Sequence, residues 1–189
     1  MLISKFQTET GIHDELMRIS NKYNLLIEHK YIYFLEKYNG GETPKTEYIF
    51  KRKKYDIRCF FGFDCERVMY DFRFILNESD IIIMLKDKLF PIACNYFGDY
   101  YYLDCRNDLY NSVFLCYHDS DNKALIADSF ESFIANCKSK KIGHIRSIEE
   151  RINDMKKKGL EDKITETSIE CWQAEIDKYS HIKQEIVSL

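Results

Sequence analysis

The chain has 189 residues, 45% of them apolar and 15% aromatic, with a formal charge of −3 and a pI near 6.0. This composition supports one substantial core with at most a small appendage and excludes a wholly disordered chain. Its charge offers no general attraction for nucleic acid or anionic lipid.

Residues 12–23 carry Ile12, Leu16, Ile19 and Tyr23 on one helical face. A second helix begins near His29. Its Tyr31, Phe34, Leu35 and Tyr38 keep the helical period, and Asn39-Gly40-Gly41 supplies the left-handed residues that stop it. The period then changes: Tyr48-Ile49-Phe50 and residues 55–63 read as a hairpin whose turn holds Lys51, Arg52, Lys53 and Lys54. Residues 66–77 return to helical spacing through Val68, Phe72, Ile75 and Leu76. Strands are expected at 89–94, 100–105 and 112–117, and their short connections favour an antiparallel meander. A short strand follows at 123–127. Asp128 or Ser129 then caps a helix that buries Phe130, Phe133 and Ile134 and runs to about Cys137. Beyond residue 140 two helices each carry one apolar stripe. The first holds Ile145, Ile148, Ile152 and Met155 and ends at Lys156-Lys157-Lys158-Gly159; the second spans about 162–187 and holds Ile169, Trp172, Ile176, Tyr179, Ile182 and Ile186.

The longest apolar run, residues 81–85, is far short of the roughly 20 residues of a membrane span. Residues 1–6 lack a signal-peptide core. A cytoplasmic protein without a membrane partner is therefore expected. Seven cysteines without a Cys-x-x-Cys pair argue against structural zinc and for reduced core residues. No cofactor or metal is expected.

The order of these features resembles the SUKH superfamily, the Smi/Knr-type domain. Tyr31, Phe34-Leu35 and Asn39-Gly40-Gly41 come first; Phe90-Pro91-Ile92-Ala93, Gly98-Asp99 and Asp104 follow, and Ser129-Phe130-Glu131-Ser132-Phe133 closes the pattern. The likeness covers about 10–138. It departs at Glu28-His29, where Leu-Pro is usual, and in the helical tail, which lies outside the common pattern. The resemblance implies an α+β fold over 1–140, a mainly antiparallel sheet packed with helices, with 141–189 as a helical extension packed on the core or on a partner chain. Asn39, Gly40, Gly41, Pro91, Gly98, Asp99, Ser129, Phe130 and Phe133 would be its structural positions. It also implies binding without catalysis. Many bacterial members look like immunity proteins that neutralise a protein toxin, often a nuclease, whereas the yeast relatives are partner-binding regulators.

The residues themselves supply no catalytic apparatus of recognised form. His118-Asp119-Ser120-Asp121 could suggest a metal-dependent hydrolase, but a polar turn explains the same residues. Cys94, Cys105 and Cys116 have no signature of a base beside them. The Lys51 to Lys54 run could grip phosphate or protect a hairpin end from aggregation. Residues 95–131 hold seven carboxylates, namely Asp99, Asp104, Asp108, Asp119, Asp121, Asp128 and Glu131, against Arg106 and Lys123. Two readings stand: ordinary turn and cap aspartates, or an acidic rim that steers a basic protein partner through Asp108, Asp119, Asp121 and Glu131. Trp172 and Tyr179 could dock on the same chain or on a second one, so a monomer or a homodimer is compatible. The function expected is a non-enzymatic immunity protein that occludes a basic toxin domain, with no direct nucleic-acid contact; the alternative is a regulatory scaffold for an endogenous partner.

Overall fold

The computed structural model describes residues 1–7, 11–106, 111–180 and 182–189. Its contacts divide the chain into two units, Met1–Lys140 with Glu185–Leu189, and Lys141–Gln184.

In the first unit, β1 (Leu2–Lys5) precedes α1 (Ile12–Tyr23) and α2 (His29–Tyr38). The hairpin β2 (Gly41–Phe50) and β3 (Lys53–Phe60) leads to a single 3₁₀ turn at Val68–Tyr70, then α3 (Phe72–Ile75) and α4 (Ser79–Lys86). The meander β4 (Leu89–Cys94), β5 (Tyr100–Asp104), β6 (Val113–Cys116) and β7 (Lys123–Ala127) follows, closed by α5 (Phe130–Asn136) and β8 (Cys137–Ser139). After the second unit, β9 (Glu185–Ile186) rejoins the sheet. The order is β7-β6-β5-β4-β3-β2-β1-β9, with β8 also paired to β2. Every ladder between these strands is antiparallel. The α+β class and the antiparallel meander expected from the sequence are present.

Aromatic side chains join the helices to the sheet. Phe34 of α2 lies 5.2 Å from Phe60 and 5.3 Å from Phe130. Phe133 of α5 lies 5.3 Å from Tyr48 and 5.4 Å from Tyr101. All but Tyr48, itself buried, are at most 1% exposed. Such rings supply large apolar burial, and their tilted contacts add about 0.5–1.5 kcal/mol per pair.

The link between α2 and β2 is a packed backbone crossing. Asn39 is left-handed (φ 50°) and fully buried. Its Nδ2 donates to the carbonyls of Gln7 and Phe63, each at 2.7 Å, while its Oδ1 accepts from Phe63 N at 2.8 Å. A Cβ at Gly40 would strike the Phe60 and Phe61 carbonyl oxygens, and one at Gly62 would strike the Asn39 carbonyl. Sequence reading found the helix stop; the structure adds that the stop is clamped against the end of β3.

Three elements differ from expectation. The helical spacing of residues 66–77 is interrupted at Asp71, which is fully buried, caps α3 through Arg73 N at 2.8 Å, and also accepts Cys65 N at 3.0 Å. Helix α4 grows from the apolar run at 81–85, where no element was expected. The last expected helix stops at Tyr179, and Ile186, 75% exposed, sits on β9 opposite Leu2. Pairing with β1 overrides local helical spacing there.

In the second unit, α6 (Ile148–Lys157) opens on a Ser147–Glu150 capping box, and α7 (Glu166–Tyr179) opens on Thr165. Arg151 is buried, donates to Glu175 at 2.8 Å, and lies 6.0 Å from the Trp172 ring. Ile148, Ile152, Met155, Ile169, Trp172 and Ile176 form half-buried stripes, while Ile145 precedes α6.

Two stability tests follow from these backbones. Asn39→Ala leaves the buried Phe63 N–H unpaired and strips the Phe63 carbonyl of its amide donor, so urea unfolding should show a loss of about 2–4 kcal/mol; a loss under about 1 kcal/mol would contradict the clamp. The two-residue turn between Phe50 and Lys53 holds Lys51 and Arg52 at φ 47° and 67°, a geometry suited to Asn-Gly. The double variant Lys51→Asn, Arg52→Gly should therefore unfold at higher urea, with a gain of about 1 kcal/mol.

Candidate interaction surface

The turns β4–β5 and β6–β7 emerge at the same end of the meander. The first is fixed by its own side chains. Asn95 Oδ1 accepts from Phe97 N and Asp99 N, both at 2.9 Å, and Asn95 Nδ2 donates to Asp99 Oδ2 at 2.8 Å. Asn95 N also donates to the Asp99 carbonyl at 3.0 Å, and Gly98 occupies φ 93°. This is the turn chemistry for which Asn, Asp and Gly are selected.

Asp99 then ties the two turns together. Its Oδ1 accepts from His118 N at 3.1 Å and lies 2.7 Å from His118 Nδ1. A neighbouring carboxylate, Asp56 of β3, accepts from Tyr96 N at 2.9 Å through Oδ2, and its main-chain carbonyl accepts from the Tyr101 hydroxyl at 2.8 Å. Arg58 lies 5.5 Å from the Tyr96 ring centroid and 5.6 Å from that of Tyr70.

The result is a braced turn that presents two aromatic rings. Tyr96 is 55% and Phe97 73% exposed. Asp119 and Asp121 are exposed on the adjoining turn. Lys51 to Lys54 also lie toward this end, with Lys54 paired to Glu47 at 3.0 Å.

The seven carboxylates of 95–131 separate into different roles. Asp99 is buried in the turn network, and Asp104 is fully buried and held by Arg106, whose Nε donates at 3.0 Å. Asp108 lies outside the described residues. Glu131 pairs with Lys30 at 3.4 Å and follows the opposite end of β7. Five strand residues separate that end from Asp121, roughly 17 Å of chain. Asp119 and Asp121 are therefore brought together with Tyr96 and Phe97, and Glu131 is not. Ser129, and not Asp128, is the cap of α5, accepting from Ser132 N at 3.0 Å. Phe130 and Phe133 are core, Pro91 is buried in β4, and Gly41 begins β2.

Sequence reading missed Tyr96 and Phe97. Two aromatics between Asn95 and Gly98-Asp99 in a turn were the available signal, because a turn that short has no interior in which to bury them.

Chemically, the site is suited to contact. His118 Nδ1 is engaged by Asp99, and among the described residues no group of three or more His, Cys, Asp or Glu is placed to hold a metal ion. Cys59, Cys94, Cys105, Cys116 and Cys137 are buried. Burial pushes the thiols of Cys94 and Cys137 up to about 12 and that of Cys116 to about 11, so these remain protonated at neutral pH.

Comparison with known proteins agrees with the fold. The profile of the SMI1 / KNR4 family (SUKH-1) matches residues 13–136, and the chain belongs to that family. No curated protein and no solved structure matches it.

The His118–Asp99 pair makes a pH test. The hydrogen bond to Asp99 holds the imidazole above its ordinary 6.5. Burial alone would raise the Asp99 carboxyl, but the bonds from His118 and Asn95 outweigh it and hold the group below 3.8. The stabilisation linked to His118 is complete below pH about 6.5 and is lost as pH rises through the elevated value. That linked to Asp99 is present above its unfolded value and is lost as pH falls through the depressed one. By NMR, His118 should titrate above 6.5 and return toward 6.5 in Asp99→Asn; a wild-type midpoint at or below 6.5 would remove the pair.

Proposed function

We propose that this protein is a non-enzymatic, cytoplasmic immunity protein that binds a basic toxin domain and occludes its active surface. The observation that carries the reading is the braced turn that exposes Tyr96 and Phe97 beside Asp119 and Asp121. Aromatic side chains held in place before contact are the residues that dominate protein interfaces, since little ordering entropy is lost on docking. Exposed carboxylates next to them favour a partner of opposite charge and raise its rate of encounter. Membership of the SMI1 / KNR4 family supports a binding role in general. Among the described residues no helix is long and apolar enough to cross a membrane.

In this mechanism the aromatic turn enters a recess on the toxin, while Asp119 and Asp121 face the cations that line it. A nuclease would fit, because it must present positive charge to hold phosphate. Glu131, paired with Lys30 at the far end of β7, is not assigned to this contact.

The test is association with a toxin domain encoded beside this chain, followed by surface plasmon resonance at low and high salt. The double variant Asp119→Lys, Asp121→Lys should slow association about tenfold, and Phe97→Ala should speed dissociation about tenfold. The toxin should kill cells that express Phe97→Ala and spare cells that express the native chain. Binding that ignores salt and all three substitutions would sink this assignment.

A further inference from the structure

The end of the β2–β3 hairpin is a free-standing two-stranded ribbon. β4 reaches β3 only at Cys59 and Phe60, and β8 reaches β2 only from Thr46 to Tyr48. Ile49, Phe50, Lys53 and Lys54 pair with each other and, among the described residues, with no further strand. From Asp56, which holds Tyr96, the ribbon runs on through three residues of strand to Lys53, about 10 Å.

This ribbon gathers cations from two distant segments. Lys51, Arg52, Lys53 and Lys54 are exposed at its tip. The pairing of β8 with β2 sets exposed Lys138 opposite Glu47, and Lys140 N donates to the Lys45 carbonyl at 2.8 Å. Residues 47–54 and 138–140 hold six cations and one carboxylate, Glu47, which Lys54 already engages. The whole chain, by contrast, carries −3. Total charge conceals the cluster, because Lys138 and Lys140 join the tip only through the β2–β8 ladder. Asp119 and Asp121 follow β6, three or four strand spacings from β3, roughly 14–19 Å. That exceeds the screening length of about 8 Å at physiological salt, so they do not neutralise the ribbon.

The cations occupy both faces of the ribbon. Tyr48 packs against Phe133 of α5 at 5.3 Å. Alternation along the strands therefore puts Phe50 and its partner Lys53 on the α5 face, and Ile49, Lys54, Glu47 and Lys138 on the other. A flat anionic surface such as a bilayer would meet only one face, and the Lys51-Arg52 tip gives it no apolar residue to insert. A groove walled by phosphates meets both faces and the tip together. The major groove of duplex DNA is of this kind, and its width of about 12 Å admits a two-stranded β-ribbon.

We propose that the end of the β2–β3 ribbon binds duplex DNA in its major groove, held by phosphate contacts and without sequence preference. The site is distinct from the aromatic turn and holds whether or not that turn meets a toxin.

Fluorescence anisotropy of a labelled mixed-sequence duplex of about 20 base pairs, titrated with the full chain, tests this. Four to six phosphate contacts predict that affinity falls roughly 10²–10³-fold as salt rises from about 50 to 200 mM. The double variant Lys51→Asn, Arg52→Gly removes two cations from a turn that it also relaxes, so unfolding does not account for a loss. It should bind about tenfold more weakly at the lower salt, with a salt slope shallower by about two. Lys53→Ala and Lys138→Ala, one on each face, should each lower the slope by about one. No binding at the lower salt, or a slope untouched by the double variant, overturns the proposal. Tighter binding to the single strand than to the duplex does the same, as does binding to mixed phosphatidylcholine and phosphatidylserine vesicles without binding to DNA. A slope that responds to only one of Lys53→Ala and Lys138→Ala overturns the groove geometry.

Discussion

Two backbones touch where α2 becomes β2, and that contact sets the arrangement of everything around it. Gly40 and Gly62 let the chain at 39–41 lie directly on the chain at 60–62, with no room for a side chain between them. The Asn39 amide fills the remaining hydrogen-bond positions, joining Gln7, Phe63 and the helix end into one knot. Helix layer and sheet are thereby held at a fixed relation, and Phe34 reaches Phe60 and Phe130 from that position. The buried amide is costly to desolvate, but all three of its bonds go to main-chain groups, among them the buried Phe63 N–H.

The same device is used twice more with carboxylates. Asp71 replaces the interior of a helix with a cap, and Asp99 locks one meander turn to the next. In each case a short polar side chain absorbs the free backbone N–H groups of a tight bend. The consequence for function is indirect. A turn whose backbone is satisfied by its own side chains can leave Tyr96 and Phe97 exposed without collapsing onto the sheet. Buried carboxylates build the turns, while Asp119 and Asp121 stay exposed beside them.

The sheet is also asymmetric. Short strands finish one side, where β1, β8 and β9 share the edge of β2 and of one another. The other side ends abruptly on a strand with apolar residues on both faces.

Periodicity in the chain was enough to locate α1, α2, the meander and α5, because each buries a stripe whose spacing is set by local geometry. Asn39-Gly40-Gly41 announced a helix stop for the same reason: a left-handed residue needs no distant partner to be recognised. Its clamp on Phe60–Phe63 was not legible, since that contact joins segments twenty residues apart. Nor was the loss of the helix at 66–77, which hinges on Asp71 meeting Cys65 and Arg73 in three dimensions. Charge counting gathered seven carboxylates into one stretch, yet only folding could sort Asp99 and Asp104 into the interior and send Glu131 to the far end of β7. The return of residues 185–186 to β1 was likewise invisible, because an edge pairing is supplied by the partner strand and leaves little trace in the segment that accepts it.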